Sequence, residues 1–331
     1  MSEPSFTDLI DLVAERLGGT VLLANDEFFA PKEALLKAAV PVWREDAYTD
    51  RGKWMDGWET RRRRTPGHDW CLVRLGLPGV VRGVVVDTSF FRGNFPEACA
   101  LEGAEVEGVS EPEALASDAS VRWHELLPRT PLAGDARNAF AVAYGERLTH
   151  LRFIIHPDGG VARLRAHGEP RPAPALLARG RVLDLAAMEH GGFVVACSDM
   201  FFGHRQNLIL PGRSTHMGDG WETRRRRGPG HDWTIVRLAA RGQVQRLELD
   251  TDHFKGNAPG SCSLEACDAA GAEAEALRSS ARWRPLLGET PLKPDARHTW
   301  EVPPGPDATH VRLNIFPDGG VARLRVLGAV A

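Results

Sequence analysis

The segment DGWETRRRR at residues 56–64 mixes acids, a hydroxyl and four consecutive arginines, and it occurs again unchanged at 219–227. Read as a strand, whose side chains alternate between faces, it places Glu59, Arg61 and Arg63 on one side and Thr60, Arg62 and Arg64 on the other. Two guanidiniums on one face suit a small carboxylate held by paired, charge-assisted hydrogen bonds, each contributing about 1.5–3 kcal/mol where water is excluded. The structural alternative is a solvated edge strand whose arginines pair with surface glutamates, and such exposed pairs contribute little. Nucleic acid fits poorly: Lys and Arg number 41 against 44 Asp and Glu, a formal net charge of −3, so no global field draws a polyanion.

Just downstream, Gly67, His68, Asp69 and Trp70 recur as Gly230, His231, Asp232 and Trp233. His68 is expected on the loop before a strand, where functional side chains are often presented. Histidine is the residue type best suited to exchange a proton near neutral pH, and Asp69 is the neighbour able to tune it. Asp26 and Asp199 follow short apolar runs, Asp87 and Asp250 end strands before a threonine, and Asp56 and Asp219 open the Gly-Trp-Glu segments. Carboxylates so placed could orient water or bind a cation, but Asp before Gly or Thr equally makes turns and local backbone bonds. No His-x-x-x-His, His-Glu-x-x-His or paired-Cys spacing indicates a dedicated zinc site; an oxygen-ligand divalent cation at an Asp cluster stays open. Gly159 and Gly160 could bring amides close to a ligand or form a tight turn that demands positive φ. His156 precedes that turn in the first copy only, with Phe316 in its place in the second.

The elements that position these residues come in two sets, because the chain aligns on itself at a spacing of about 160 residues, a whole domain rather than a solenoid unit. With 331 residues, 43% of them hydrophobic, each copy can bury its own core. The Pro-rich stretch 169–174 reads as a linker, which places the domains at 1–169 and 175–331. Short β-branched runs at 70–75 and 80–86 flank a Gly-Leu-Pro-Gly turn signal, and runs at 151–155 and 161–165 flank Pro-Asp-Gly-Gly, so both read as strand, turn, strand. Helical spacing appears at Leu9, Leu12, Val13 and Leu17 and again near 183–188. Many short strands with 34 Gly and 23 Pro predict an all-β chain of two tandem antiparallel β-sandwich domains with few short helices. The order of pieces is similar to discoidin-like, galactose-binding jelly rolls: Asp56 and Gly57 with Thr60, a Trp70-led strand ending at Gly76, and a late Leu164-Arg165 strand. No apolar run approaches the roughly 18 residues of a membrane span, the start carries scattered acids, and the five cysteines form no metal-type pairs. A reduced, cytoplasmic setting is the expectation.

Taken together, the segments at 25–36, 53–64, 67–70, 84–97 and 156–168 closely resemble the allantoicase family over almost the whole chain, duplication included. That resemblance implies two related jelly-roll domains in a homo-oligomer that cleaves allantoate and water to ureidoglycolate and urea. Allantoate carries one carboxylate and two ureido groups on one carbon, so its recognition calls for arginine with amide-type donors and acceptors. Arg61, Arg63 and Asn94 are the expected contacts, with Trp58, Thr60 and Asp87 completing the pocket. His68 is the expected acid–base group, with Glu59 or Asp26 orienting water and Asp69 and His156 in support. The second copy offers His231, Glu222, Asp199, Arg224, Arg226 and Asn257. No cofactor is required by the sequence. The first copy is favoured because the two differ at Glu27/Met200, Phe90/His253 and His156/Phe316, and a site shared between them stays open. Two rivals remain at this point: a tandem carbohydrate-binding protein, and a hydrolase of a related ureido or guanidino acid.

Overall fold

The structure is a computed structural model that describes residues 5–106, 108, 111–279 and 282–331. Residues 1–4, part of the acid-bearing start noted above, lie outside the described residues. The chain divides into two compact units, Met1–Arg171 and Pro172–Ala331. Unit 1 contains β1 (Ile10–Asp11), β2 (Thr20–Ala24), β3 (Tyr48–Thr49), β4 (Gly52–Lys53), β5 (Trp58–Glu59), β6 (Asp69–Asp87), β7 (Ala98–Ala104), β8 (His124–Pro131), β9 (Arg137–Ala141), β10 (Leu148–His156), β11 (Gly160–Val161) and β12 (Arg163–Pro170). Unit 2 contains β13 (Val182–Asp184), β14 (Phe193–Cys197), β15 (Trp221–Glu222), β16 (Asp232–Asp250), β17 (Ser261–Cys267), β18 (Arg284–Pro291), β19 (Arg297–Glu301), β20 (Ala308–Phe316), β21 (Gly320–Val321) and β22 (Arg323–Val330). Two short helices, α1 (Pro112–Ser117) and α2 (Ala274–Arg278), complete the described α-structure.

One strand of 19 residues organises each unit, β6 in the first and β16 in the second. The expected turn at 76–79 is therefore corrected: Gly76, Leu77, Pro78 and Gly79 continue a single strand. Its first part pairs with β2 and β10, and its last part with β12 and β9. Where the partners change, backbone groups bond to passing chain instead of to a hairpin, Gly76 N–H donating to Leu12 C=O (2.9 Å) and Arg171 N–H to Pro78 C=O (2.7 Å). Proline has no N–H to offer a ladder, so it is tolerated at that change of partner. Gly79 is required by close approach, since a Cβ there would stand 2.3 Å from the Glu169 carbonyl oxygen.

The long strand thus serves two layers of one antiparallel β-sandwich, and the all-β expectation holds for both units. Strands β10 and β12, read as a hairpin around 157–160, do not pair with each other; both pair with β6. Burial in β6 exceeds the strand period of two: Cys71, Leu72, Val73, Leu75 and Leu77 are buried in its first part, and Val84, Val85 and Val86 in its second, so much of the strand is covered on both faces. The two helical readings are also corrected. Residues 5–17 form 3-10 turns at Ser5–Asp8 and Glu15–Leu17 around β1, and 183–188 gives way to β13 and a 3-10 turn at Met188–His190. Leu12, Val13 and Met188 are buried nonetheless, so the apolar spacing recorded burial while the segments are too short to nucleate a helix. No helix among the described residues is long and apolar enough to cross a membrane.

Candidate active site

The site of unit 1 begins where β5 meets β11, with Trp58 opposite Val161 and Glu59 opposite Gly160. Alternation sends the two side chains opposite ways. Trp58 is fully buried and its indole N–H donates to the Asp26 carbonyl (2.8 Å), so it braces the core and offers no surface to a ligand, contrary to its expected substrate contact. Glu59 points into a cleft of about 920 Å³ lined also by Phe29, Thr60, Arg61, Arg62, Arg63, Arg64, Asn94, Phe95, Glu97, Asp158 and Gly159.

Only Trp58 and Glu59 of the repeated segment join a ladder; residues 60–64 leave it, which corrects the strand expected there. Freed from the pleat, all four arginines reach the same cleft instead of dividing between two faces. Carboxylates fix the departing backbone at alternate residues, Arg61 N–H donating to Asp26 Oδ1 (3.0 Å) and Arg63 N–H to Asp158 Oδ2 (2.8 Å). The same logic orients the side chains. Arg61 Nε donates to Asp26 Oδ2 (2.6 Å), and Arg63 Nη1 donates to Asp69 Oδ1 (2.6 Å). Burial would raise the Asp26 carboxyl, but the Arg61 and Phe28 amides and the Arg61 guanidinium outweigh it and hold it below its usual range.

Asp69, only 1% exposed, is therefore the partner of Arg63 and not of His68. Its Oδ1 also accepts from Asn25 Nδ2 (2.8 Å), and its buried Oδ2 has no partner among the described residues. His68 is exposed, and its ring meets His156 edge-on with centroids 5.3 Å apart. Neither histidine lines the cleft. Burial, with Arg129 and His68 nearby, pushes the His156 imidazolium down from its ordinary value. Asp87 is also displaced from its expected role: it ends β6, accepts from Ser89 N–H (2.8 Å) and lies outside the cleft lining.

Within the cleft, Glu59 is 9% exposed and its Oε1 accepts from Asn94 Nδ2 (2.7 Å). Burial raises its pKa above that of an ordinary glutamate, and the Asn94 bond offsets only part of the rise. Thr60 is a positioning residue: its hydroxyl accepts from Gly159 N–H (3.1 Å) and its backbone N–H donates to Gly159 C=O (3.1 Å). Gly159 has φ of +135° and its Cβ position lies 2.8 Å from the Asn94 carbonyl. Gly159→Ala is expected to destabilise unit 1 by about 1–3 kcal/mol and to displace Asn94. A lower denaturant midpoint would show this; an unchanged midpoint would mean the turn does not need glycine.

Unit 2 repeats the arrangement bond for bond. Glu222 Oε1 accepts from Asn257 Nδ2 (2.6 Å), Arg224 pairs with Asp199 (2.9 Å), Arg226 pairs with Asp232, and Arg226 N–H donates to Asp318 (2.7 Å). Differences sit around it: His231 packs on Phe316 with centroids 4.6 Å apart, and Asn257 also touches the Met217 sulfur (3.3 Å). Asn25, Asp158 and Glu97 were not singled out from the sequence. The recurrence of Asp158 as Asp318 was the available signal for one of them; Asn25, replaced by Ser198, left none. The open question of a cation at the aspartates finds no cluster to receive it: Asp26 and Asp69 hold arginines, and among the described residues no three His, Cys, Asp or Glu stand close enough to hold a metal ion.

Fold and cleft together define a class, a tandem jelly-roll protein with an arginine-rich polar cleft in its first unit. The family model for the allantoicase repeat matches residues 10–171 and again 183–331, and the chain belongs to that family. Probable allantoicase 2 of Burkholderia pseudomallei is 50% identical over 333 residues, covering 99% of this chain and 97% of that one. The allantoicase of Dictyostelium discoideum is 44% identical over 323 residues, covering 97% and 87%. Among solved structures, allantoicase from Saccharomyces cerevisiae is 34% identical with a TM-score of 0.79, covering 96% of this chain and 92% of that one.

Proposed function

We propose that this protein hydrolyses allantoate to ureidoglycolate and urea, a step of purine degradation, and that Glu59 carries the proton. Family membership supports the reaction. The observation that supports the assignment of Glu59 is its sheltered carboxyl, bonded to Asn94 and facing arginines already aimed by Asp26 and Asp69. Arg61 and Arg63 hold the substrate carboxylate, each with guanidinium N–H groups left over from its bond to aspartate. Asn94 and the backbone beside Gly159 face the ureido groups.

Cleavage then runs in two proton transfers. Protonated Glu59 gives its proton to the nitrogen of one ureido group as the bond from the central carbon to that nitrogen breaks, releasing urea. The lone pair of the remaining ureido nitrogen forms a C=N bond to that carbon. Water adds to the carbon and returns a proton to the Glu59 carboxylate, leaving ureidoglycolate and the starting enzyme. A carboxyl whose pKa is raised by burial keeps its proton to higher pH than an exposed glutamate, which suits it to give a proton and then take one back. The five thiols are all free, which fits a reducing compartment such as the cytoplasm.

Incubating purified protein with allantoate and measuring urea tests the reaction; no release under any metal condition would sink it. Replacing His68 by Ala tests the assignment of residues. Because His68 lies outside the cleft, urea release is expected to stay near the wild-type rate, and a collapse of kcat with the fold intact would return His68 to the mechanism.

A further inference from the structure

A hairpin beside the candidate site sets unit 1 apart from unit 2. Residues 37–55 join the 3-10 turn at Lys32–Leu36 to the segment that opens at Asp56, whereas residues 210–218 make the same connection in unit 2. The longer passage contains β3 and β4, paired Tyr48 to Lys53 and Thr49 to Gly52, with Asp50 and Arg51 at the tip. Lys53 Nζ lies over the rings of Trp43 and Tyr48, 4.8 Å from each centroid, and so ties the hairpin to the rest of the insertion.

Its tip reaches the segment that carries Asp26. Arg51 Nη1 donates to the Phe28 carbonyl (2.8 Å), and its guanidinium lies over the Phe28 ring, 5.0 Å from the centroid. The guanidinium of Arg61 lies over the same ring, at 5.4 Å. Phe28 N–H donates to Asp26 Oδ1 (3.1 Å), the oxygen that also accepts from Arg61 N–H. Phe28 is thus joined to Arg61 through its ring and through a shared carboxylate, and Arg51 grips Phe28 from outside the cleft. Phe29 meets Phe28 edge-on with centroids 5.0 Å apart, lies 3.8 Å from where a Cβ on Gly52 would stand, and forms part of the cleft wall.

Unit 2 keeps the inner half of these contacts. Arg224 lies over Phe201 at 5.1 Å, and Phe201 meets Phe202 edge-on at 4.8 Å. No strand pair stands between 210 and 218 among the described residues. Phe201 and Phe202 are 64% and 62% exposed, against 38% for Phe28 and a half-buried Phe29. The grip of the hairpin is therefore an addition to unit 1, not a by-product of the shared fold.

We infer that Arg51 is a positioning residue for the reaction proposed above: by fixing Phe28 it holds Arg61 in place for the substrate carboxylate, and it does so in unit 1 alone. The inference rests on Arg61 being a carboxylate contact. Urea release from allantoate by the full-length protein, with kcat and KM separated, is the test. R51A is expected to raise KM by about three- to tenfold with kcat within about twofold, because the carboxylate is held alike in the ground and transition states. R51K can still donate to the Phe28 carbonyl and lie over the ring, so it should recover most of the loss. F28L removes the ring and is expected to match R51A, which keeps the test decisive if either variant melts early. In an R61A background, R51A should lower kcat/KM by less than about twofold further, since the two residues act as one unit. Wild-type KM in both R51A and F28L, a loss carried by kcat alone, no recovery in R51K, or the full further loss in R61A would each overturn the positioning role and leave the reaction standing. Wild-type protein that releases no urea would overturn the reaction and the positioning role together.

Discussion

Glu59→Gln is expected to lower kcat for urea release from allantoate by about 10²–10⁴-fold, the usual contribution of a positioned acid–base group. Glutamine keeps the size of the side chain and can still bond Asn94, so the cleft should persist. What it lacks is a proton to give. KM is expected to change little, because Arg61 and Arg63, the proposed carboxylate contacts, are untouched. The pH dependence provides a second readout. Burial raises the Glu59 pKa, so the active protonated form persists to higher pH than an exposed glutamate would allow and is lost as pH rises through that raised value. The stability gained by burying the group neutral has the same sign: present at low pH, lost as pH rises through the folded-state pKa. Both dependences should be absent in the glutamine variant. Glu222→Gln, at the less buried counterpart, is expected to cost less. Wild-type kcat in the Glu59 variant would place the proton carrier elsewhere.

The largest effect on stability is expected at Arg163, which no step of the reaction uses. It is 2% exposed and its Nη2 donates to Asp56 Oδ2 (2.8 Å), Nη1 to the carbonyls of Asp56 and Ala162, and Nε to the carbonyl of Ala39. One side chain thereby ties β12 to the loop before β5, the loop that leads into Glu59. Replacing one partner of a buried pair leaves the other charge unsatisfied, so Arg163→Met is expected to destabilise unit 1 by about 3–5 kcal/mol in denaturant unfolding. Burial would raise the Asp56 carboxyl, yet Arg163, the Val42 amide and Lys37 outweigh it and hold it below its ordinary range. The stability from that depression is present above the unfolded-state value and lost as pH falls through the folded one. The acid slope of wild-type stability should therefore flatten in Arg163→Met. A loss of under about 1 kcal/mol would mean the pair contributes no more than a surface ion pair. Arg323 and Asp219 repeat the arrangement in unit 2 (2.9 Å), so the two units should respond alike.

These residues show how unevenly the sequence spoke. Arg163 and Asp56 stand in repeated segments, yet nothing in their spacing says that they meet, because contact between positions so far apart depends on how β12 returns beside β6. The arginine run was legible as a candidate anion-binding segment, but its strand reading failed after Glu59. Local alternation predicts faces only while a ladder holds the pleat, and here aspartates from distant loops take over the backbone bonds. His68 drew attention by residue type and by its loop, two properties that say nothing about which way the loop faces. Glu59 was named only as a helper, since its shelter is made by Asn94 and the Gly159 turn.

The sequence by itself determined that the repeated unit is β-rich, that it occurs twice, and that the chain resembles the allantoicase family; it also named Glu59, Arg61, Arg63 and Asn94 as candidates, which the structure brings to one cleft. Repetition and composition are local properties and survive without coordinates. Tertiary structure alone decided that β6 runs unbroken through a Gly-Leu-Pro-Gly stretch, that Asp69 serves Arg63 instead of His68, and that Trp58 faces the core. Each of those outcomes depends on which distant backbone or side chain supplies a hydrogen-bond partner, and burial makes that partner obligatory.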